Sequence, residues 1–140
     1  MTMTVHVDIV SAEKEIYSGL AEMVFAPAEL GEVGISPRHA PMITRLKPGE
    51  VRVKASDKES YSFFVSGGML EVQPHMVTIL ADTAIRAKDI DEAAALEAKA
   101  RAEEALTDKS GKIDYATAQA QLLEAIMQLR TLDRLRKRGG

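Results

Sequence analysis

Apolar and polar residues alternate near the start of the chain: Val5, Val7 and Ile9 are separated by His6 and Asp8. This is the pattern of a strand with one buried face. Similar short runs recur at residues 23–26, 51–53, 61–65, 69–72 and 77–81. Turn formers punctuate them at Gly19, Gly31, Gly34, Pro48-Gly49, Ser56-Asp57, Gly67-Gly68 and Pro74. Many short strands without helical crossovers predict an antiparallel β-sandwich, or flattened barrel, over residues 1–86, and argue against a parallel sheet.

Beyond Arg86 the period changes. Asp89, with Glu92 at the fourth position, forms a variant capping box for a helix over about residues 90–106, and Asp91 and Glu92 suit the positive end of its dipole. Ala95, Ala98, Ala102 and Ala105 give that helix a thin face that admits a close neighbour. Gly111 lies in a polar turn over 107–112, and Asp114 caps a second helix carrying Ala118, Leu122, Ala125, Leu129 and Leu132 in a four-three rhythm. Residues 87–140 therefore read as an antiparallel α-helical hairpin. Its seam is mostly alanine, well short of the roughly 1.5–3 kcal/mol of a buried leucine, so its attachment is weak. Two arrangements stay open: a hairpin fixed against the sheet, or one free to move to a better groove.

Composition sharpens the division, because all ten valines and all five prolines precede Arg86. With no cysteine there is no disulfide framework, thiolate metal site or thiol nucleophile, and a reducing cytosolic setting fits. The N-terminus has neither the basic region nor the apolar stretch of a secretory signal, so export is not expected, and no hydrophobic run approaches a membrane span. Net charge is −3, with 8 basic and 11 acidic residues up to Arg86 and 10 of each afterwards. The local exception is Arg130, Arg134, Arg136, Lys137 and Arg138, opposed only by Asp133. A cationic end is offered to an acidic partner or to water.

Catalytic chemistry is missing from the sequence. His6, His39 and His75 fall in separate segments without metal-ligand spacing. Ser66-Gly67-Gly68 lacks the lysine of a phosphate loop and the preceding glycine of a nucleophile elbow, so a tight strand connection explains it. Asp57 and Glu59 flank Lys58 in a polar turn. The stretch 31–42 differs: Gly31, Gly34, Pro37 and Pro41 stiffen the backbone around Glu32, Val33, Arg38, His39 and Met42. It either shapes a turn or presents a preformed recognition loop. Alternatives from other classes are a stand-alone module whose basic tail grips an acidic partner or nucleic acid, and a small hydrolase using Ser66. The first is poorly served, since Tyr115 is the only aromatic residue after Arg86.

The order of five motifs carries a resemblance: Val10-Ser11-Ala12-Glu13, the 31–41 stretch, Leu46-Lys47-Pro48-Gly49, Ser66-Gly67-Gly68-Met69-Leu70-Glu71-Val72, and Leu80-Ala81-Asp82-Thr83-Ala84. Together they resemble the ε subunit of bacterial F-type ATP synthases over nearly the whole chain. The resemblance implies a non-catalytic central-stalk subunit without a cofactor, peripheral on the cytoplasmic face of the bacterial inner membrane and touching membrane only through Fo. It implies that the sandwich binds the γ subunit and rests on the c-subunit ring, with Gly31, Glu32, Val33, Arg38, His39 and Met42 matching the ring and stalk contacts. It also implies that the hairpin brakes ATP hydrolysis, with Leu129, Arg130, Arg134, Arg136, Lys137 and Arg138 meeting the α and β subunits. Nucleic acid is not an implied partner. Some members bind ATP through Ile or Leu, Asp, two variable residues, Arg and Ala; here Asp91 is kept and Ala94 stands at the arginine's place. Losing one charged hydrogen bond, about 1.5–3 kcal/mol, weakens nucleotide binding roughly ten- to a hundredfold.

Overall fold

The computed structural model describes residues 2–108 and 114–138, so the turn expected around Gly111 lies outside the described residues. The chain divides after Arg86 into two compact units.

The first unit contains ten strands: β1 (Val5–Ser11), β2 (Glu15–Ala21), β3 (Met23–Ala28), β4 (Gly31–Ile35), β5 (Met42–Leu46), β6 (Gly49–Lys54), β7 (Ser60–Val65), β8 (Gly68–Gln73), β9 (Met76–Ala81) and β10 (Ala84–Arg86). Their lateral order is β10-β7-β6-β3-β5-β8-β9-β1-β2, with β4 paired to β3. β3 is the corner strand: Met23–Phe25 pair with β6, while Ala28 pairs with Leu46 of β5. Two layers result, β4-β3-β6-β7-β10 and β5-β8-β9-β1-β2. Where the path ends meet, the Arg86 guanidinium donates to the Ile16 carbonyl at 3.0 Å, which nearly closes the barrel.

The alternation seen at Val5, Val7 and Ile9 is realised as an inward row on every strand. Across the second layer, Val7 aligns with Val77 and Val72, and Ile9 with Ile79 and Leu70; all are fully buried. Val24, Val51, Val53, Phe63 and Val65 close the core from the first layer.

One expectation is qualified and two need correction. One strand pair, β1 with β9, runs parallel. The missing crossover helix did not exclude it, because seven intervening strands make the crossover. Gly19 and Gly34 sit within strands rather than turns: a Cβ on Gly19 would meet the Tyr17 hydroxyl at 2.9 Å, and one on Gly34 would meet the Phe25 ring at 3.2 Å. Both make room for an aromatic side chain lying along the sheet. The stretch 31–42 is not one loop, since its first five residues are β4.

The second unit opens with a 3₁₀ turn over Ala87–Asp89, followed by α1 (Glu92–Thr107) and α2 (Tyr115–Lys137). Asp91, not Asp89, caps α1: its backbone is extended and its carboxylate accepts from the Ala94 amide at 3.1 Å. Asp89 is taken up by the 3₁₀ turn, in which the Ile90 amide bonds the Ala87 carbonyl at 3.2 Å. Asp114 caps α2 as expected, accepting from the Ala116 and Thr117 amides at 3.0 and 3.3 Å. The helices pack antiparallel, and Ala95 and Ala102 of α1 and Ala118, Ala125, Thr131 and Leu132 of α2 are buried. Leu122 and Leu129 are only half-buried, so the seam is thinner than the leucine spacing suggested.

Candidate functional site

Residue pairing draws the sequence motifs to one end of the sandwich. Ser11 aligns with Ala81, Ala81 with Gly68, Gly68 with Leu46, Leu46 with Ala28 and Ala28 with Gly31. This lateral row carries four of the five motifs and the start of the other. Its connections are fixed by backbone: the Lys47 amide bonds the Pro27 carbonyl at 2.9 Å, and the Asp82 amide bonds the Gly67 carbonyl at 2.9 Å. Ser66 is consumed here, its hydroxyl oxygen accepting from the Thr83 amide at 2.9 Å and the Thr83 hydroxyl at 2.7 Å. That arrangement is a strand connection with no base beside the serine.

Gly31 and Glu32 stand at this end, beside the β3–β4 turn. Gly31 has φ of 138°, a conformation other residues rarely take. Glu32 is exposed and receives the Arg52 guanidinium at 3.4 Å, while Arg52 lies 4.3 Å over the Phe25 ring. Val33 points the other way, onto the core. Sequence reading missed Leu30, the fully exposed apolar residue at the turn's tip. The signal was available: a leucine between Glu29 and a left-handed glycine has no strand face to turn inward.

Arg38 and His39 lie elsewhere. β4 runs away from the turn for five residues, so the 36–41 loop begins about 16 Å along the strand direction from Gly31. There the Arg38 amide donates to the Pro74 carbonyl at 2.8 Å, and Arg38 has φ of 62°. The His39 ring nitrogen Nδ1 lies 2.8 Å from the Ala40 carbonyl, and Met42 starts β5 with its side chain on the core. The six candidate contacts thus form two groups joined by β4, which pairs only with β3.

The outward face of β5-β8-β9-β1-β2 is the larger feature. Register places Met69, Leu80 and Val10 in one row, Met76, His6 and Leu20 in another, and Glu71, Thr78, Asp8 and Ser18 between them, with Ile43 opposite Glu71. Ile43 is 69% exposed, Leu20 59% and Leu80 50%. Exposed apolar rows flanking a polar one on paired strands make this face a candidate docking surface. At its centre the Ser18 hydroxyl donates to Asp8 Oδ1 at 2.7 Å, and His6 Nε2 lies 2.8 Å from the same oxygen. The Ser18 bond, aided by His6, holds the Asp8 carboxyl below its ordinary value against the opposing effect of burial. These residues do not form a nucleophilic triad. Ser18 and Asp8 both meet the same imidazole nitrogen, whereas a triad needs them on opposite nitrogens.

In the hairpin, Arg130 is exposed, Leu129 is half-buried, and Lys137 pairs with Asp133 at 3.0 Å. Arg134 and Arg138 lie exposed in the last turns of α2. Arg136 reaches across to Glu92 at the start of α1. Asp91 spends its carboxylate on the cap, and Ala94 presents no side chain that could meet a phosphate. Among the described residues no cluster of three metal-ligating side chains occurs, and no helix is long and apolar enough to cross a membrane.

The sandwich and the helical segment match known family domains separately. Residues 4–87 match the β-sandwich domain of the ATP synthase δ/ε chain, and residues 88–133 its long α-helix domain. The chain belongs to the ATP synthase ε-chain family. It is 68% identical over 140 residues to the ATP synthase epsilon chain of Nitrosococcus oceani, covering 100% of both chains. Identity to the ATP synthase epsilon chain 1 of Methylococcus capsulatus is 69% over 137 residues, 98% of each. A chain of the Euglena gracilis mitochondrial ATP synthase OSCP/F1/c-ring assembly shares the fold, with a TM-score of 0.72 at 16% identity, over 98% of this chain and 82% of that one. A chain of the Tetrahymena thermophila central stalk/c-ring assembly gives 0.61 at 12% identity, over 94% and 98%. As an ε chain, the protein is a non-catalytic subunit of ATP synthase.

Proposed function

We propose that this ε chain is a rotor part of a proton-translocating ATP synthase at the cytoplasmic face of a bacterial inner membrane. It couples c-ring rotation to γ and restrains ATP hydrolysis through its hairpin. The observation that carries the coupling role is the exposed apolar face of β5-β8-β9-β1-β2, which fits γ as occupant. A two-layer sandwich with a continuous core transmits torque without bending, because close-packed interiors resist deformation.

The two contact groups then take different partners. Leu30, Gly31 and Glu32 stand at one end and suit the c ring, whereas the Val33 side chain supports them from the core. Arg38, His39 and Met42 border β5 and the β8–β9 turn, beside the face given to γ. Leu129, Arg130, Arg134, Arg136, Lys137 and Arg138 supply the inhibitory contact with α and β, where a cationic helix end suits an acidic surface.

Co-purification with γ tests the coupling role. Leu80→Asp places a charge on the apolar row without touching the core, and abolishes γ capture while the thermal transition stays in place. Normal capture by Leu80→Asp and Ile43→Asp would remove γ from this face. Ending the chain at Arg86 tests the brake: hydrolysis by the assembled enzyme rises, and unchanged hydrolysis refutes inhibition.

A further inference from the structure

A charged contact links the two helices at the hairpin's open end. Glu92 is the first residue of α1, directly after the Asp91 cap, and Arg136 lies in the last turn of α2, 44 residues later. The helices are joined through residues 108–114, so the sixteen-residue α1 puts this contact about 24 Å from the connection. Of the buried residues between the two, Ala95, Ala102, Ala118 and Ala125 bury little apolar area each, and Leu132 is the one large apolar side chain among them. The antiparallel arrangement sets the positive end of α1 beside the negative end of α2. Each dipole therefore favours the charge it carries.

Arg136 donates Nη2 to Glu92 Oε2. This bond, reinforced by charge attraction, lowers the Glu92 carboxyl below its ordinary value and raises Arg136. Asp133, the nearest acid on α2, takes Lys137 at 3.0 Å. Glu92 offsets the Arg136 charge while the pair is made, so Arg136 meets a second acidic surface at reduced strength.

We propose that Glu92 and Arg136 form a latch that holds the hairpin closed, and that Arg136 presents its full charge to the inhibitory contact only when the latch is released. The second half rests on the brake reading above. Releasing Arg136 opens the hairpin and supplies one cation to the brake in the same event. An exposed ion pair biases such an equilibrium about two- to fivefold, and added salt weakens it.

The absence of cysteine lets spin labels be placed cleanly at the exposed positions Leu96→Cys and Leu123→Cys of the full-length chain. Double electron–electron resonance then reads the separation of the helices. Glu92→Gln raises the open population about two- to fivefold, and high salt opens the wild-type chain but adds nothing in the variant. In assembled ATP synthase, Glu92→Gln lowers hydrolysis, whereas Arg136→Gln opens the hairpin yet raises hydrolysis because the brake loses its cation. A distance distribution unchanged by Glu92→Gln, or an equal salt response in both chains, overturns the latch. If the distribution shifts while Glu92→Gln, Arg136→Gln and the chain ending at Arg86 all hydrolyse at the wild-type rate, the latch stands and the brake reading falls.

Discussion

Three glycines with positive φ form a graded experiment on the end of the sandwich where the motifs gather. Gly31, Gly67 and Gly68 have φ of 138°, 123° and 143°, so alanine is strained at each by about 1–3 kcal/mol. Their surroundings differ. At Gly31 a Cβ would meet nothing within 4 Å, and at Gly67 its nearest neighbours are Asp82 Oδ2 at 3.3 Å and the Leu46 carbonyl at 3.4 Å. At Gly68 it would fall 2.1 Å from the Leu80 carbonyl oxygen and 2.9 Å from Ala81 Cα. Those atoms are backbone of the neighbouring strand and cannot rotate away. Relief requires β8 to separate from β9 at Gly68–Ala81, adding an overpacking cost of about 1–3 kcal/mol. Gly31→Ala should therefore lose about 1–3 kcal/mol, Gly67→Ala about the same, and Gly68→Ala about 2–6 kcal/mol, a large part of a small domain's stability. Urea unfolding followed by circular dichroism, with the Tyr17–Tyr61 ring pair of the sandwich as a local reporter, measures the series. Equal losses at Gly68 and Gly31 would refute the claim that strand backbone, rather than local strain, demands the second glycine.

Further outcomes follow from the same geometry. Leu30→Asp should leave the unfolding midpoint within experimental error, because the side chain is fully exposed, yet uncouple rotation from synthesis; normal proton-driven synthesis counts against Leu30 as a ring contact. Asp8, held below its ordinary value of 3.8, adds stability that is fully present above that value and lost as pH falls through the lower folded one. Ser18→Ala should thus be destabilising at neutral pH, with its deficit shrinking in acid below that value; a deficit constant with pH would show that Ser18 acts without the Asp8 charge. Titration calorimetry of the full chain with ATP at low millimolar concentration should give no isotherm, since Asp91 is spent on the cap and Ala94 has no cation. A clear isotherm contradicts that.

The short alternating strands, the change of period after Arg86, and α2 with its Asp114 cap were legible because each rests on local periodicity or capping chemistry. What escaped depended on long-range register. Nothing local marks Gly19 as the space for the Tyr17 ring, or separates Gly31 from His39 by the length of β4. The His6–Asp8–Ser18 cluster needs β1 beside β2 before Ser18 is near the other two. Asp89 and Asp91 both satisfy the cap pattern, and only the 3₁₀ turn decides between them. Arg136 read as one of a cationic cluster opposed only by Asp133, while Glu92 arrives only when the hairpin closes.

The parallel pairing of β1 with β9 also sets a schedule for synthesis. His6 must wait for Met76, 70 residues later, which at about 5–20 residues per second takes roughly 4–14 s after His6 is made. Until then β1 has only β2 beside it, and a lone hairpin is marginal in water. The face proposed for γ draws its rows from β1, β2, β5, β8 and β9, so no nascent fragment that stops short of β9 displays it. A chain stalled on the ribosome before Met76 emerges should capture no γ, and capture by such a chain would contradict this.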